Sequence, residues 1–144
     1  MNFISHSEIE TENIAADLAG DIHNGDVLLL HGNLGAGKTV FARSLIRTLS
    51  DAPKLEVPSP TFTLVQTYEA QDLRLWHFDL YRLEDPEEIY ELGWEEALSD
   101  GIVLVEWPER LGALKPARYL DIHISAGEND DEQRNIEIIR HDPA

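Results

Sequence analysis

Hydrophobic and polar positions near the start of the chain follow the period of an α-helix. Apolar residues recur there every four positions, namely Ile14, Leu18 and Ile22. Ser7 and Glu10 come before them with the spacing of a capping box, a frequent start of a helix. The pattern predicts a helix over residues 7–23 that is ended by Asn24-Gly25.

Two apolar runs farther along the chain have no polar position within them. They are VLLL at 27–30 and IVLV at 102–105. Short continuous apolar runs, each followed by polar residues, are typical of parallel strands that are covered on both faces. We therefore predict buried strands over DVLLLH (26–31) and GIVLVEW (101–107).

The rest of the pattern predicts a second helix and further strands around these two. Phe41, Leu45 and Leu49 share one face of a helix that runs from Lys38 to Leu49. The other predicted elements are a loop with Pro53, Pro58 and Pro60, strands over TFTLVQTYEA and LRLWHFDLYR around a turn at 70–72, a short acidic helix from Asp85-Pro86, and alternating strands at Tyr119–Ile124 and Asn135–Arg140. Alternating strands are expected as antiparallel additions at the sheet edges. The fold class is α/β with a mixed sheet, and 144 residues fit one domain.

Composition narrows the class of protein. Hydrophobic residues make up 42% of the chain, and cysteine is absent, which excludes disulfides, Cys nucleophiles and thiolate metal sites. Neither an apolar segment of about 20 residues nor a secretory signal pattern is visible. We expect a protein of the reducing cytoplasm with no membrane span.

Net charge bears on the partners. The chain has 11 basic and 28 acidic residues, which gives a net charge of −17. Proteins that hold nucleic acid unaided neutralise several phosphates with Lys or Arg, and no basic run stands out here. We therefore expect no strong direct binding to RNA or DNA. The acidity fits two interpretations equally, an aid to solubility or a surface for a basic partner.

The stretch GNLGAGKT, residues 32–39, fits the phosphate-binding pattern G-x-x-x-x-G-K-[ST] between a predicted strand and a predicted helix. Its glycines let the loop turn backbone N–H groups inward, and the helix start adds its positive end. Lys38 can reach the β- and γ-phosphates, and the Thr39 hydroxyl can ligate Mg²⁺. The alternative is a glycine-rich turn with an exposed lysine. The residues expected to contact the nucleotide in this stretch are Asn33, Leu34, Gly35, Ala36, Gly37, Lys38 and Thr39.

A phosphate-binding loop of this kind works with an acidic residue near the metal, usually at the end of a buried strand. Glu106 ends IVLVE and Asp79 ends LWHFD, and Glu106 ranks first because its strand is more apolar. A solvated carboxylate at a strand end is the alternative for each. His77 and Asp79 share a strand face, so an HxD metal site competes with a plain hydrogen-bonded strand.

VPSPTF, residues 57–62, lies between the second helix and the next strand, where a loop can sense the γ-phosphate through the hydroxyl of Thr61. A plain proline turn is the alternative. No N-K-x-D or D-x-x-G follows the loop at 32–39, which argues against a guanine-specific GTPase. No arginine-rich lid segment is apparent, which weakens a small-molecule kinase. No Gln or Arg is obviously placed to drive hydrolysis, so a partner could supply that group.

Five motifs in this order and at these spacings resemble the TsaE (YjeE) family of P-loop ATPases. They are GNLGAGKT, SPTF, HFDLYRL, ELGWEEAL and VEWPERL, and the resemblance covers nearly the whole chain. It implies a P-loop NTPase fold with a mostly parallel central sheet, flanked by antiparallel strands. It also implies binding of ATP and Mg²⁺ and a role in forming threonylcarbamoyladenosine at position 37 of ANN-decoding tRNAs. The implied partner is the complex that transfers threonylcarbamoyl to tRNA, the TsaD and TsaB proteins, and the implied ATPase activity supports its repeated turnover.

The resemblance also implies roles for single residues. Lys38 and Thr39 take the P-loop roles, Thr61 is similar to the switch threonine, and Asp79 and Glu106 are similar to the acidic pair, with Glu106 as a Mg²⁺ ligand. Trp107 is similar to the family tryptophan beside the nucleotide, with an ordinary half-buried Trp as the alternative. Thr11 and Arg134 are similar to residues that approach the adenine, with an ordinary surface residue as the alternative for both.

The sequence departs from the family pattern at Asn33, Trp94 and Lys115, and none of these departures puts ATP binding in doubt. Two other functions compete with an ATPase that resets or activates a tRNA-modifying complex. One is a stand-alone P-loop phosphotransferase that acts on a small acceptor. The other is a non-catalytic module that uses ATP only to order its loops for docking.

Overall fold

The structure is a computed structural model that describes residues 1–33, 37–70, 72–127 and 132–142. Its helices and strands are β1 (Asn2–Ser5), α1 (Glu8–Ala19), β2 (Val27–His31), α2 (Lys38–Leu49), β3 (Val65–Ala70), β4 (Leu73–Asp79), α3 (Trp94–Ser99), β5 (Ile102–Glu106), β6 (Tyr119–Ala126) and β7 (Arg134–His141), with 3₁₀ helices at Pro86–Leu92 and Pro108–Leu114. Among the described residues, no helix has the length and apolar character that crossing a membrane requires.

The strands form one seven-stranded sheet in the order β1-β7-β6-β2-β5-β4-β3. The four central strands β6, β2, β5 and β4 pair in parallel, whereas β3 at one edge and β7 with β1 at the other are antiparallel. The two apolar runs are the central neighbours β2 and β5, with Val27 opposite Val103. The predicted α/β fold with a mixed sheet is confirmed. One detail was wrong, since the alternating strand β6 lies inside the sheet rather than at its edge.

Helices cover the two faces of this sheet unequally. On one face, α1 and α2 pack against alternate residues of the strands, among them Leu28, Leu30 and Leu104. On the other face, α3 and the two 3₁₀ helices pack against Leu29, Val103 and their neighbours. Burial on both faces is the reason that β2 and β5 read as unbroken apolar runs.

Helix α1 begins where the sequence predicts and ends earlier. The Ser7 hydroxyl accepts a hydrogen bond from the Glu10 amide at 3.1 Å, as expected of an N-cap. The predicted end at residue 23 was wrong, because α1 stops at Ala19 and Gly20 caps it. Asn24 instead accepts a hydrogen bond from the Gly101 amide at 2.8 Å, so Asn24-Gly25 fastens the loop before β2 to the start of β5.

Several other elements differ from the prediction. Strand β4 ends at Asp79 rather than at residue 82, and β6 and β7 extend beyond their predicted bounds. Strand β1 was not predicted, and it gains its order from antiparallel pairing with β7, where Phe3 lies opposite Ile136. Strand β3 begins at Val65 because the residues before it form a turn in which the Leu64 amide donates to the Pro60 carbonyl. The acidic helix does begin after Asp85, but its first part is 3₁₀ and the α-helical part starts only after Gly93.

Candidate functional site

The carboxyl ends of three parallel strands meet at one edge of the sheet and bring the predicted chemistry together. Glu106, the last residue of β5, lies in register with Leu30 of β2 on one side and with Asp79 of β4 on the other. The chain leaves β2 into the glycine-rich stretch and returns as α2 from Lys38. Crevices at the carboxyl ends of parallel strands are the usual ligand sites of open α/β sheets.

A cleft of about 460 Å³ opens at this edge. Its lining residues are Gly37, Lys38, Thr39, Val40, Ser59, Thr61, Asp79, Tyr81, Glu106, Trp107 and Arg134. Eight of the predicted site residues are among them. Asn33 is exposed and is not part of the lining. Leu34, Gly35 and Ala36, also predicted to contact nucleotide, lie outside the described residues.

Two glycines of the predicted phosphate-binding stretch have backbone positions that a side chain would disrupt. Gly32 has φ +156°, and a Cβ there would stand 2.6 Å from the carbonyl oxygen of Ile124 in β6. Gly37 has φ +101°, a left-handed conformation, and a Cβ there would stand 3.3 Å from the Nε of Arg134. Residues of β6 and β7 pack against the two ends of the loop. This packing explains why the sequence has glycine at positions 32 and 37.

Lys38 points into the cleft as a buried cation. The residue is 5% exposed, its Nζ makes no hydrogen bond with the part of the chain that the structure describes, and it lies 3.8 Å from the centre of the Trp107 ring. Burial lowers the pKa of the ammonium from its ordinary 10.5, and the charges of Glu106, Asp79 and Glu109 act in the opposite direction. A buried ammonium beside carboxylates is the chemistry of a site for a phosphate and its cation.

Replacing Lys38 by methionine is expected to raise the free energy of unfolding of the nucleotide-free protein at neutral pH. The folded-state pKa of Lys38 lies below 10.5, so folding disfavours the charged form, and that penalty is complete below the folded-state pKa. It fades as the pH rises from the folded-state pKa to 10.5, where both states become neutral. The stability gain of Lys38→Met over wild type should therefore shrink across this window in urea unfolding at a series of pH values.

Lys115→Met is the matched control, because Lys115 also lies over an aromatic ring, that of Tyr119 at 4.3 Å, but is exposed. Its stability should be nearly unchanged. A destabilised Lys38→Met variant at neutral pH would contradict the assignment of Lys38 as a charge that burial disfavours.

Asp79 anchors the loop that carries SPTF. Its Oδ2 accepts a hydrogen bond from the Thr61 hydroxyl at 2.9 Å, and its Oδ1 accepts one from the Tyr81 amide at 3.0 Å. The Ser59 hydroxyl lies 2.8 Å from that of Thr61 and extends the chain of polar contacts. The loop hydroxyls are thus fastened to the end of β4 at the rim of the cleft, in a position from which a bound group could release them.

Glu106 is held by a buried histidine. Its Oε2 lies 2.6 Å from Nε2 of His77, and both side chains are almost fully buried. The sequence allows an HxD metal site at His77 and Asp79 as one interpretation. The geometry instead matches the hydrogen-bonded strand, since His77 pairs with Glu106 while Asp79 pairs with Thr61.

A smaller cleft adjoins the first at Gly37, Val40 and Arg134, and it is also lined by Thr11. Thr11 is 2% exposed and its hydroxyl lies 2.7 Å from that of Ser5. The alternative of an ordinary surface residue is therefore wrong for Thr11. Arg134, at the start of β7, is half-buried and borders both clefts.

Sequence reasoning missed three residues that line the cleft, Val40, Ser59 and Tyr81, and it missed the pairing of His77 with Glu106. Ser59 could have been found from its place two residues before Thr61. Tyr81 could have been found from its place two residues after Asp79. The pairing of His77 with Glu106 depends on the order of the strands in the sheet, and no local pattern carries that information.

These features define a nucleotide-binding protein of the P-loop class: a mostly parallel sheet, a glycine-bordered loop at its carboxyl edge, and a lysine beside two strand-end carboxylates. The model of one sequence family, described as "Threonylcarbamoyl adenosine biosynthesis protein TsaE", matches residues 5–136. The chain belongs to the TsaE family, which acts in the biosynthesis of threonylcarbamoyladenosine in tRNA.

Individual relatives agree with this assignment. The tRNA threonylcarbamoyladenosine biosynthesis protein TsaE of Rickettsia bellii is 41% identical over 92% of this chain and 92% of its own length. The protein of the same name from Aquifex aeolicus is 37% identical over 95% of this chain and 94% of its own length. Among solved structures, the crystal structure of Bacillus subtilis YdiB superposes with a TM-score of 0.76 at 29% identity, covering 99% of this chain and 86% of that one. The family resemblance and the P-loop NTPase fold predicted from the motifs are confirmed.

Proposed function

We propose that this protein binds and hydrolyses ATP with Mg²⁺ and thereby supports formation of the threonylcarbamoyl group on N6 of adenosine 37 in ANN-decoding tRNAs. It acts as one P-loop ATPase domain over residues 1–144, in the cytoplasm, through nucleotide-dependent association with the threonylcarbamoyl-transferase complex of TsaD and TsaB. The observation that carries the proposal is Lys38, a buried ammonium with no hydrogen-bond partner among the described residues, aimed into a cleft with two buried carboxylates.

The side chains of the cleft fit both parts of a Mg²⁺–nucleotide pair. The Lys38 ammonium supplies the unsatisfied positive charge that β- and γ-phosphate oxygens require, and the start of α2 adds backbone N–H groups. Thr39 and Glu106 line the same cleft and offer the oxygen ligands that Mg²⁺ prefers. When bound, the ion would neutralise charge that develops on the transferred phosphoryl group.

The predicted site residues have separate tasks in this proposal. Lys38 orients the terminal phosphates, and Trp107 shields that ammonium from water by covering it at 3.8 Å. Thr61 exchanges its hydrogen bond to Asp79 for a contact with the γ-phosphate, which frees the Asp79 carboxylate to orient the attacking water. Thr11 and Arg134 border the adjoining cleft and would face the base. Asn33, Leu34, Gly35, Ala36 and Gly37 would surround the phosphates.

The hydrogen bonds of the two carboxylates in the chain alone support a dependence of turnover on a partner. Asp79 is engaged by Thr61 and Tyr81, and Glu106 is engaged by His77. Both must change partners before hydrolysis, so turnover by the isolated chain should be slow. Docking of a partner beside the SPTF loop could move Thr61 and raise the rate, or could supply a stabilising group in trans.

The test is release of phosphate from ATP by the purified chain with and without the threonylcarbamoyl-transferase complex. We expect slow, Mg²⁺-dependent turnover by the chain alone and a rise of at least about tenfold with the complex, since groups supplied in trans act by factors of this size or larger. Omission of Mg²⁺ is the control within each arm. Nucleotide-dependent binding to the complex without any phosphate release would replace the proposal with the non-catalytic docking module. Transfer of phosphate from ATP to a small acceptor without the complex would replace it with the phosphotransferase.

A further inference from the structure

A second group of potential ligands lies outside the proposed ATP site, on strands β2 and β6. His31, Asp121 and His123 each offer one ligand atom, and these three atoms all lie within 4.8 Å of one another. His31 is the last residue of β2 and lies in register with His123 of the parallel strand β6. By alternation along the strands, the three side chains are on the sheet face opposite α1 and α2.

The contacts inside this group are close and specific. Nε2 of His31 lies 2.8 Å from Oδ1 of Asp121, and the imidazole rings of His31 and His123 stack with centroids 4.2 Å apart and planes within 9°. Asp121 is 8% exposed, His31 is half-buried and His123 is exposed. The group therefore combines a fixed, buried carboxylate with an imidazole that solvent can reach, which provides a path of entry for an ion.

A third histidine faces the same carboxylate from β7. Nε2 of His141 lies 3.1 Å from Oδ2 of Asp121, yet this buried nitrogen makes no hydrogen bond with any described residue. His141 therefore approaches the oxygen of Asp121 that His31 does not contact. The side chain of His141 is held by ring stacking on Tyr119, with centroids 4.6 Å apart.

We propose that His31, Asp121 and His123 form a binding site for one transition-metal ion of the Zn²⁺ class, with His141 adjacent to Asp121 on β7. Imidazole nitrogen and carboxylate oxygen bind Zn²⁺ at about 2.0–2.2 Å in tetrahedral geometry, which places neighbouring donor atoms about 3.4 Å apart. The rings of His31 and His123 must leave their stacked arrangement before one nitrogen of each can face the ion, and His123 is exposed and His31 half-buried. Mg²⁺ prefers oxygen ligands, so the imidazoles discriminate against the ion proposed for the ATP site.

Glu109 lies near the second ring nitrogen of His31, beyond hydrogen-bond distance. Its Oε2 is 3.9 Å from Nδ1 of His31. A ligating histidine usually directs its second ring nitrogen to such an acceptor, which fixes the tautomer and the ring orientation. In the metal-bound form, Nε2 of His31 would bind the ion and Nδ1–H would donate toward Glu109.

The position of this site gives it a structural role next to the phosphate-binding loop. His31 immediately precedes Gly32, and Ile124, whose carbonyl crowds Gly32, immediately follows His123. An ion held by His31 and His123 would therefore join β2 to β6 at the point where the loop begins.

The experiment is titration of the full chain with Zn²⁺ by isothermal calorimetry, without nucleotide and without a polyhistidine tag. We expect saturable binding of one ion per chain, weakened at least about tenfold by His123→Gln and by Asp121→Asn, as loss of one ligand or its support usually does. His123→Gln is the decisive variant because His123 is exposed, so its replacement should preserve the fold. Thermal unfolding of each variant checks folding. Co²⁺ as a probe should show visible absorption bands of tetrahedral coordination that His123→Gln loses.

His23→Gln is the matched control, since His23 is an exposed histidine in the loop at the other end of β2, and it should bind Zn²⁺ as wild type does. Absence of saturable binding by wild type, or unchanged binding by His123→Gln, would overturn the inference. Loss of Zn²⁺ binding in Glu106→Gln with retention in His123→Gln would assign the ion to the ATP cleft instead. Because no nucleotide is present, failure here leaves the proposed ATPase function untouched.

Discussion

Lys38→Met is expected to lower complex-stimulated ATP turnover by about 100- to 1,000-fold, the usual effect of removing one preorganised electrostatic contact to a transferring group. The substitution keeps the aliphatic stem of the side chain and removes only the charge over Trp107. No other lysine lines the cleft in the part of the chain that the structure describes, so no neighbour of the same kind can replace it. The measurement is phosphate release with saturating complex, together with ATP affinity from equilibrium binding.

The stability measurement described above separates this effect from misfolding. If Lys38→Met unfolds at the same or higher urea concentration as wild type, its lost turnover is a loss of contact with phosphate. Lys115→Met replaces an exposed lysine that lies over an aromatic ring outside the cleft, and this variant should keep wild-type turnover. Turnover of Lys38→Met within a few-fold of wild type would mean that the buried ammonium does not act on the nucleotide.

Glu106→Gln is expected to reduce Mg²⁺-dependent turnover by a similar factor of about 100 to 1,000 while leaving binding of metal-free ATP nearly intact. The amide keeps the shape of the side chain and can still hydrogen-bond to His77, so the packing at the end of β5 should be preserved. What it removes is the negative oxygen expected to bind the ion. The substitution also removes the negative charge that raises the pKa of Lys38 most. The pKa of Lys38 should therefore fall further in this variant.

Glu109→Gln is the matched control for the turnover measurement. Glu109 is an exposed carboxylate whose charge also raises the pKa of Lys38, but it does not line the cleft. Its turnover should stay within a few-fold of wild type. Full activity of Glu106→Gln would remove Glu106 from the proposed metal site and leave Asp79 as the remaining strand-end carboxylate. If Glu106→Gln still bound the complex in a nucleotide-dependent way but released no phosphate, binding to the complex would not require hydrolysis.

Local sequence patterns predicted the parts of this molecule that depend on neighbours along the chain. The capping spacing of Ser7 and Glu10 marked the start of α1, and the two apolar runs marked the central strands β2 and β5. The spacing of the glycines, the lysine and the threonine from Gly32 to Thr39 predicted the loop, because this pattern depends only on residues that are close together along the chain. Asp79 and Glu106 could be ranked as partners because the ends of parallel strands meet at one edge of a sheet.

The remaining features depend on pairings between distant segments, which no local pattern records. Strand β1 is ordered by β7 at the far end of the chain, and β6 is central because it pairs with β2 as well as β7. The pairing of His77 with Glu106 and of Thr61 with Asp79 requires the strand order and the path of the SPTF loop. The group around Asp121 was missed for the same reason, because its histidines come from three strands.

The position of β2 in the sheet also has a consequence for how the chain folds. Its two neighbours, β5 and β6, begin only at residues 102 and 119, so β2 has no hydrogen-bonded strand beside it until most of the chain has been synthesised. Pairings between such distant segments must close long loops before they gain any contact energy, which slows folding. During synthesis, the apolar stretch VLLL would stay without its sheet partners for several seconds at ordinary translation rates of about 5–20 residues per second. The strand that supports the phosphate-binding loop is therefore a segment of the nascent chain that needs protection from aggregation.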